Sequence, residues 1–243
     1  MLCQGGWHGA RRAVKGGRRR RARMRRLTRW AVRLALLAVA IPFLLTLLYA
    51  VVPPVSTLML ARWLTFQEVD RRWVRLRDMA PSAPVAVMTA EDARFCLHHG
   101  VDWDALREVL DDEDEPSRGA STITQQTVKN LFLWGGRSYI RKAIEIPMAV
   151  AFDAVLPKRR ILEIYLNIAE WGDGIFGIEA AARAHFNKSS KTLTTREAAA
   201  LAAALPSPLT RDPARPRGGH RVVMDAVLRR MATENLDVAC LKQ

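Results

Sequence analysis

The chain has 243 residues and a formal net charge of +14 at pH 7, and hydrophobic residues make up 49% of it. Residues 1–33 contain twelve Lys and Arg residues and no acidic residue, so the rest of the chain is close to neutral. The basic charge therefore belongs to a tail and does not indicate a nucleic-acid-binding domain. The length allows one ordinary domain with a sizeable core, together with a membrane anchor.

The cysteines do not predict a disulfide framework or a zinc site. Cys3, Cys96 and Cys240 make an odd count, and none has the CxxC or Cys/His spacing of a zinc ligand set. Only Cys96 and Cys240 could form an internal bridge, and nothing in the sequence requires it. We therefore expect neither a disulfide nor a structural metal.

An uncharged apolar run covers residues 34–52, and its 19 residues come close to the roughly 20 that cross a bilayer core. Pro42 lies within the run, which transmembrane helices tolerate at the cost of a kink. Trp30 and Tyr49 lie near its ends, where amphipathic rings favour the membrane interface. The basic residues before the run predict a single-pass protein with a cytoplasmic N-terminus and the rest of the chain outside.

A cleaved signal peptide is the alternative to an anchor. Its apolar core would normally span about 7–15 residues and be followed by a small-x-small cleavage site, whereas this run is longer and continues into PPVSTLMLARW. We favour the anchor. It divides the chain into a basic cytoplasmic tail (1–33), a transmembrane helix (34–52), a juxtamembrane linker (53–83) and an extracytoplasmic domain (84–243).

The linker combines prolines with a helix-like pattern. Apolar residues recur with helical spacing from residue 60 to residue 76 and are interleaved with four arginines. The pattern predicts an amphipathic helix that either lies on the membrane surface or packs on the domain.

A carboxylate ends the first apolar run of the domain. Glu91 follows the apolar residues 85–90, so partial burial can raise its pKa toward the range of a general base. His98, His99 and Asp102 come next and could suggest a metal site. Adjacent histidines rarely aim at one point, so we favour a structural role for these residues.

Residues 111–118, DDEDEPSR, form an acidic stretch between two polar segments. A solvated connector is the default interpretation, and a lid over a site is the alternative.

The segment from Gly119 to Glu145 contains the densest set of polar and charged residues. Its hydroxyl and amide groups suit sugar oxygens, and its cations suit phosphate oxygens. The first set is Ser121, Thr122, Thr124, Gln125 and Gln126, and the cations are Lys129, Arg137, Arg141 and Lys142. On a helix, Arg137, Arg141 and Glu145 would share one face, either in a substrate site or as an ion-pair ladder on a solvated surface.

The pattern after Glu145 is helical, and no stretch of useful length alternates like a strand. Pro147 should bend or restart a helix. Pro157 can begin the next helix and Gly172 can end it. The polar stripe of that otherwise apolar helix is Glu163, Asn167 and Glu170.

Three cations, residues 158–160, occupy the first turn of this helix, where they oppose the helix dipole. An anionic partner, a membrane surface or simple solvation would each explain them.

The last part of the chain predicts three more helices. One covers residues 178–186, and a short terminal one covers residues 221–231. Between them, Thr194 and Glu197 form the pattern of a capping box before an alanine-rich run that is apolar on every side. That run should lie at the centre of the core.

Five blocks of this sequence resemble the five ordered motifs of the peptidoglycan glycosyltransferases. They are Glu91-Asp92-x-x-Phe95-x-x-His98-x-Gly100-x-Asp102, Gly119-Ala-Ser-Thr-Ile-Thr-Gln-Gln126, Arg141-Lys142-x-x-Glu145, Ile161-Leu-Glu-x-Tyr165-Leu-Asn167 with Gly172-Asp-Gly-Ile-Phe-Gly177, and Glu197-Ala-Ala to Leu205-Pro-Ser-Pro208. They cover roughly residues 84–209 in family order. Because we expect no transpeptidase domain, the chain resembles the short, monofunctional biosynthetic members rather than the bifunctional penicillin-binding proteins.

The resemblance implies a fold and an activity. The fold would be mainly α, a lysozyme-like bilobed glycosyltransferase domain after one N-terminal transmembrane helix, with one lobe at the membrane. The activity would be inverting transfer that polymerises lipid II into β-1,4 glycan strands and releases undecaprenyl pyrophosphate. The protein would act in cell wall synthesis and cell shape, from the inner membrane, with this domain in the periplasm.

The resemblance also implies residue roles. Glu91 would be the general base that takes the proton from the 4-hydroxyl of the acceptor, and Glu145 would be the second carboxylate, on the donor side. Glu163 and Asn167 would hold the fold. Substrate and pyrophosphate contacts would come from the cations Lys129, Arg137, Arg141 and Lys142 and from the polar residues Ser121, Thr122, Gln125 and Gln126.

The implied partners are lipid II, the growing lipid-linked strand and the membrane, with no nucleic acid. Other cell wall synthesis or division proteins stay open as partners. A divalent cation at the substrate pyrophosphate also stays open, although the sequence predicts no metal cage.

Two other functions are alternatives to lipid II polymerisation. In a lysozyme-like hydrolase the same Glu91 would act on an existing glycan with water as the acceptor, but the anchor and the cations argue against it. The third hypothesis is a non-catalytic membrane scaffold of the wall machinery, and the presence of both Glu91 and Glu145 argues against that.

Overall fold

The structure is a computed structural model that describes residues 7–111, 121–136 and 138–242, with side chains described from residue 23 onward except at 110 and 111. The chain divides into two compact units, Met1–Leu45 and Thr46–Gln243. The acidic connector or lid, beyond its first residue, and Arg137 lie outside the described residues.

The N-terminal part of the chain is one helix, α1 (Trp7–Tyr49). Its segment Arg23–Tyr49 is apolar enough, and at 27 residues long enough, to cross a membrane. Large side chains such as Leu34, Leu36 and Val39 are exposed along it. Length and composition therefore suit a membrane anchor, and Pro42 does not end the helix.

The described residues of the second unit form nine further α-helices. They are α2 (Thr57–Leu64), α3 (Ser82–Glu91), α4 (Trp103–Asp111), α5 (Ile123–Phe132), α6 (Tyr139–Val155), α7 (Lys158–Ile168), α8 (Ile178–Phe186), α9 (Thr195–Ala204) and α10 (Gly218–Thr233). Three short 3-10 turns cover Leu76–Asp78, Ser190–Thr192 and Ala239–Leu241. The predicted mainly α fold is confirmed.

Three short strands form a small sheet in the order β1 (Asp70–Arg71), β3 (Ile175–Phe176), β2 (Glu170–Gly172). β1 pairs in parallel with β3, and β2 pairs antiparallel to it. The sequence pattern did not locate these strands. Strands of two or three residues are too short to show an alternating pattern in sequence.

Helix α9 lies at the centre of the second unit. Thr194 and Glu197 form the predicted capping box at its start. Every residue from Ala198 to Ala204 is buried, and the helix packs on α3 and α10. The small alanine side chains let these neighbouring helices approach closely.

Helix α7 is buried on most sides and carries a polar seam that holds an incoming segment. Glu163 Oε2 accepts a hydrogen bond from the Leu76 N–H at 2.8 Å. Asn167 Oδ1 accepts one from the Val74 N–H at 2.9 Å, and its Nδ2 donates to the Val74 carbonyl. The structural role expected for Glu163 and Asn167 is confirmed. The helix ends at Ile168 rather than at Gly172, because the chain enters β2 there.

The predicted helix over residues 60–76 is wrong, because the chain turns back after α2. The helix ends at Leu64, and Phe66 has a φ of +56°. The Arg62 guanidinium holds the turn by donating to the Glu68 carbonyl at 3.0 Å and to Asp173 Oδ1 at 2.8 Å. The following residues then pair in β1 instead of continuing the helix.

The structure excludes a helix restart at Pro147 and gives a longer terminal helix than predicted. Helix α6 runs through Pro147 and does not restart there, although proline supplies no N–H to the preceding turn. Helix α10 begins at Gly218 and ends at Thr233, several residues beyond the predicted range 221–231.

Cys96 and Cys240 form a disulfide, so the expectation of none is wrong. Their Cα atoms are 5.5 Å apart although 144 positions separate them in sequence. The fold makes the bond possible by packing the turn Ala239–Leu241 on α7. Local sequence carries no information about such a long-range approach, which is why cysteine spacing did not predict it.

Replacing both cysteines by serine (Cys96→Ser/Cys240→Ser) should lower the free energy of unfolding by about 2–5 kcal/mol, because the unfolded chain loses a long cross-link. Chemical denaturation of the detergent-solubilised protein measures this. Reductant should destabilise the wild type to a similar extent and leave the double variant unchanged. Equal denaturation midpoints for oxidised wild type and double variant would contradict the expectation.

Candidate active site

Glu91 is the last residue of α3, and the next residue fixes its position. Asp92 leaves the helix, and its carboxylate accepts a hydrogen bond from the Ile123 N–H at 2.9 Å and lies 3.0 Å from His98 Nε2. Because Ile123 begins α5, Asp92 places a negative charge at the N-terminus of that helix, where it is favourable. The contact joins the end of α3 to the start of α5.

A two-step chain of hydrogen bonds orients the Glu91 carboxylate. Tyr165 O–H donates to Gln126 Oε1 at 3.0 Å, and Gln126 Nε2 donates to Glu91 Oε2 at 2.8 Å. Tyr165 is only 1% exposed, so its buried hydroxyl fixes which end of the Gln126 amide faces Glu91. Within the described residues, the second oxygen of Glu91 has no hydrogen-bond partner.

The surroundings of Glu91 raise the pKa of its carboxyl group. Burial is the main cause, and the hydrogen bond from Gln126 and the charges of Lys129 and Arg211 oppose it. A carboxyl group with a raised pKa is better matched to proton transfer near neutral pH than an ordinary glutamate.

A cavity of about 200 Å³ opens beside Glu91. Its walls come from the end of α3, the start of α4 and the residues before α5. The lining residues are Glu91, Asp92, Ala93, Arg94, Asp102, Ala105, Ser121 and Thr122. The cavity thus brings the Glu91 carboxylate together with the hydroxyl groups of Ser121 and Thr122.

Thr122 and Gln125 are used by the fold at the start of α5. Thr122 Oγ1 accepts from the Gln125 N–H, and Gln125 Oε1 accepts from the Thr122 N–H, which completes a capping box. Thr122 Oγ1 also donates to the Gly100 carbonyl at 2.6 Å. Gly100 has a φ of +83°, and a Cβ there would lie 2.5 Å from the Ala149 carbonyl oxygen. Sugar contact by Thr122 and Gln125 stays a prediction, and the capping box alone accounts for both residues.

Glu145 lies in a buried charge cluster on α6. One of its carboxylate oxygens accepts from Arg141 Nη1, and the other accepts from Lys142 Nζ at 2.7 Å. Lys142 Nζ also donates to Ser121 Oγ at 2.9 Å. Glu145 is only 2% exposed, so its pair with Arg141 is not a ladder on a solvated face. The cluster reaches from α6 to the residues that precede α5.

Lys129 links the two carboxylates electrostatically. It follows Gln126 by one turn of α5, and its charge interacts with both Glu145 and Glu91. Burial lowers the pKa of Lys129, and the two carboxylates oppose that shift. Among the described residues, no acceptor is bonded to its Nζ, which leaves the ammonium group available to an anionic ligand.

The cations at the start of α7 have partners inside the protein, with one exception. Lys158 Nζ lies 2.6 Å from Asp153 Oδ1. Arg160 donates to the carbonyls of Tyr49 and Val52 at 2.8 and 2.9 Å. Arg159 has no side-chain partner in the described part of the chain.

The structural role expected for the histidine segment is confirmed at two of its residues. His98 is buried against Asp92. Asp102 Oδ1 accepts from the Ala105 N–H at 3.1 Å at the start of α4. His99 is exposed, with its Nδ1 3.7 Å from Asp153.

The residues at this site do not fit a resident metal ion. Both oxygens of Glu145 accept from cations, and Asp92 is bonded to a helix terminus and His98. Over the described ranges, with residues 112–120 and 137 left aside, no three His, Cys, Asp or Glu side chains are grouped as a metal site.

Comparison with known protein families shows which family the chain belongs to. Residues 58–232 match the family model described as Transglycosylase. The chain belongs to the transglycosylase family. The match begins in α2 and ends in α10, so it includes the helices that hold Glu91 and Glu145.

Relatives of this transglycosylase match it over most of their length. A biosynthetic peptidoglycan transglycosylase of Rhodopseudomonas palustris (strain TIE-1) is 53% identical over 216 residues, 87% of this chain and 92% of the relative. One of Mesorhizobium japonicum is 51% identical over 233 residues, 93% of this chain and 99% of the relative. One of Brucella suis biovar 1 is 51% identical over 216 residues, 87% and 96% of the two chains. The resemblance stated from the five motifs is confirmed.

Sequence reasoning assigned no site role to three residues that surround Glu91 in this transglycosylase. Asp92 joins α3 to α5, and Tyr165 orients Gln126. The charge of Arg211 opposes the rise in the pKa of Glu91, and Arg211 Nη1 donates to the Ala203 carbonyl at 2.6 Å. Asp92 and Tyr165 lie inside the quoted motifs, which was the available indication. Arg211 lies in a Pro/Arg/Gly-rich stretch and had none.

Tyr165→Phe should raise the pKa of Glu91 further, because Gln126 is then free to turn its amide oxygen toward the carboxylate. The acid limb of the pH–activity profile should move to higher pH, and the free energy of unfolding should fall by about 0.5–1.5 kcal/mol. Tyr139→Phe, which removes a hydroxyl from a residue that is 97% exposed, is the control. An unmoved acid limb in Tyr165→Phe would show that this tyrosine does not position the base.

Proposed function

We propose that this transglycosylase polymerises lipid II into β-1,4 glycan strands, with release of undecaprenyl pyrophosphate, in cell wall synthesis. The observation that carries the proposal is a pair of carboxylates in different surroundings, linked by Lys129. Glu91, whose pKa is raised, faces a cavity. Glu145 binds two cations, Arg141 and Lys142. Two carboxylates in such different surroundings can take different roles in one reaction.

Glu91 acts as the general base. It takes the proton from the 4-hydroxyl of the lipid II acceptor while that oxygen attacks the anomeric carbon of the lipid-linked strand. The bond from that carbon to the pyrophosphate oxygen breaks, and an attack opposite the leaving group converts the α linkage into a β linkage. The orientation imposed through Gln126 leaves one carboxylate oxygen free for this proton transfer.

The cations stabilise the departing pyrophosphate. Lys129, Arg141 and Lys142 surround a single carboxylate, Glu145, so the cluster keeps a net positive charge. Fixed cations favour the negative charge that grows on the leaving group. Arg137 belongs to the same proposed set from the motif pattern, and Ser121 and Gln126 are the proposed sugar contacts that line or adjoin the cavity.

A divalent cation would bind through pyrophosphate oxygens of the substrate, because Glu145 and Asp92 already have cationic or helix partners and Glu91 is the proposed base. Such an ion would add charge neutralisation to that supplied by Lys129 and Arg141. The chain's own residues perform the proton transfer and hold the leaving group.

We place the catalytic unit in the periplasm, at the end of an inner-membrane anchor with a cytoplasmic N-terminus. The basic tail supports this orientation, and so does the Cys96–Cys240 disulfide, since such bonds persist in oxidising compartments. In the described part of the chain, no surface singles out one partner among other wall-synthesis or division proteins.

Product analysis tests the proposal against glycan hydrolysis. The detergent-solubilised full chain should convert purified lipid II into long strands and undecaprenyl pyrophosphate. It should release no short glycans from isolated peptidoglycan. Short glycans without polymerisation would favour the hydrolase, and a folded protein that is inactive on both substrates would favour the scaffold.

Lys129→Met should lower the polymerisation rate by about 10²–10³-fold, because it removes one fixed charge from the leaving-group site. The free energy of unfolding should change little, since the lysine charge is half-buried and lacks a hydrogen-bonded acceptor in the described structure. Lys191→Met, at an exposed lysine, is the control. An unchanged polymerisation rate would contradict the assignment of Lys129 to the leaving-group site. Glycan hydrolysis involves no pyrophosphate, so a hydrolase activity would be insensitive to Lys129→Met.

A further inference from the structure

A second polar cavity lies away from the Glu91 and Glu145 residues, and it is lined mainly by arginines. Its volume is about 270 Å³. The lining residues, which we call the arginine pocket, are Arg75, Arg77, Pro157, Arg159, Arg160 and Glu163. Neither the proposed base nor the described pyrophosphate cations, Lys129, Arg141 and Lys142, contribute to it.

The charge of the arginine pocket is not balanced by the residues that the structure describes. Among the described residues that line it, Glu163 is the only carboxylate, and that group already accepts from Arg160 and from the Leu76 N–H. The side chains of Arg75, Arg77 and Arg159 have no partner in the described part of the chain. Three unpaired cations around one cavity repel each other, and a bound anion would relieve that repulsion.

The dipole of α7 also favours a bound anion beside Arg159. It lies in the first turn of α7, where the partial positive charge of the helix end disfavours a cation and favours an anion. Lys158 and Arg160 in the same turn have internal partners, which account for them. Arg159 has none among the described residues, so an external anion would be a favourable partner at this position.

Rigid groups form one wall of the pocket. The Arg160 guanidinium stacks on the Trp73 ring, with its Cζ 5.1 Å from the ring centroid, and it is also bonded to Glu163. Glu163 in turn holds the segment that carries Arg75 and Arg77 through the Leu76 N–H. The free arginines therefore project from a fixed backbone, which reduces the entropy lost when they bind an anion.

The position of the pocket points to the membrane surface. Arg160 donates to the carbonyl oxygens of Tyr49 and Val52. Tyr49 is the last residue of the segment long and apolar enough to cross a membrane, so a wall of the pocket is bonded to the place where that segment ends. Phosphate groups of lipids lie at this boundary, and arginine forks match phosphate oxygens.

We propose that the arginine pocket binds a phosphate group, and that an anionic phospholipid headgroup next to the anchor supplies it. The pocket would fix the catalytic unit against the lipid surface through a contact that takes no part in glycosyl transfer. Inorganic phosphate has the same chemistry and is the alternative source. The proposal does not depend on the polymerisation activity.

Native mass spectrometry of the full chain tests this. The protein is placed in nanodiscs of equal parts phosphatidylglycerol and phosphatidylcholine, and the lipids that stay bound after release are counted. The pocket variant is Arg77→Gln/Arg159→Gln. The control is Arg196→Gln/Arg229→Gln, which removes the same charge from exposed positions elsewhere. A second arm uses phosphatidylcholine nanodiscs with added inorganic phosphate.

The wild type and the control should retain phosphatidylglycerol in preference to phosphatidylcholine, and the pocket variant should lose roughly tenfold or more of that preference. Phosphate retained by the wild type but not by the pocket variant, without a phosphatidylglycerol preference, would assign the same pocket to phosphate from solution. Equal retention of both anions by wild type and pocket variant would overturn the proposal. Thermal melting of both double variants verifies that they fold.

Discussion

Glu91→Gln is expected to slow lipid II polymerisation by about 10²–10⁴-fold, the usual contribution of a general base. Gln keeps the size of the side chain and an oxygen that accepts from Gln126 Nε2, so the hydrogen-bond chain from Tyr165 survives. Only the ability to take the proton from the acceptor hydroxyl is lost. The rate of strand formation from purified lipid II measures the effect.

The pH dependence of the wild type provides a second test of the same residue. Burial raises the pKa of Glu91, so activity should fall as pH drops through a value above the ordinary glutamate pKa of about 4.3. The raised pKa means that the folded protein binds the proton more tightly than the unfolded chain. Folding stability from this group is therefore highest at low pH and decreases as pH rises through that range.

Glu91→Gln removes this loss, so the variant should be at least as stable as the wild type at neutral pH. Glu68→Gln, at an exposed carboxylate, controls for a general effect of charge. A variant that folds and polymerises lipid II within about threefold of the wild-type rate would exclude Glu91 as the base, because base catalysis contributes far more than that.

Glu145→Gln should have the largest effect on stability among the site variants. The change leaves Arg141 and Lys142 without their shared anion in a buried cluster, and breaking such a pair costs about 3–5 kcal/mol. The two cations also lose their fixed direction. Activity per folded molecule should fall by about 10²-fold, the order expected when catalytic groups are misplaced by about 1 Å.

A matched variant separates stability from catalysis. Glu179→Gln also changes a buried carboxylate, one that accepts from Arg183, Ser189 and the Ser190 N–H. Glu179 lies between the fourth and fifth motif blocks and has no proposed catalytic role. The variant should lose stability and keep its activity per folded molecule. If Glu145→Gln behaves like Glu179→Gln, then Glu145 serves the fold and has no part on the donor side.

Patterns that repeat along one helix were predictable from the sequence. The range 178–186 agrees with α8, and the capping pattern at Thr194 locates the start of α9. Glu91 became a candidate because a carboxylate ended an apolar run, which needs only local information. The mainly α fold follows from these same periodic segments.

Features that depend on distant residues were not predictable in this way. The chain reversal after Leu64 depends on Asp173, more than a hundred positions away, and β1 exists only because β3 lies beside it. The orientation of Glu91 depends on Tyr165, and the partners of Glu145 lie one turn away but become buried only when α6 packs on α5. Sequence patterns name the chemical groups, whereas tertiary packing decides which of them meet.

The Cys96–Cys240 bond turns residues 96–240 into a closed covalent ring. Gln126, Lys129 and Glu145 lie within the ring, whereas Glu91 lies on the linear arm, five positions before the ring closes. A single proteolytic cut within the ring, for example in the acidic stretch 112–115, would therefore leave both fragments attached to each other and to the anchor. After such a cut, Glu91 and Glu145 would lie on fragments without a covalent link only once the disulfide was also reduced.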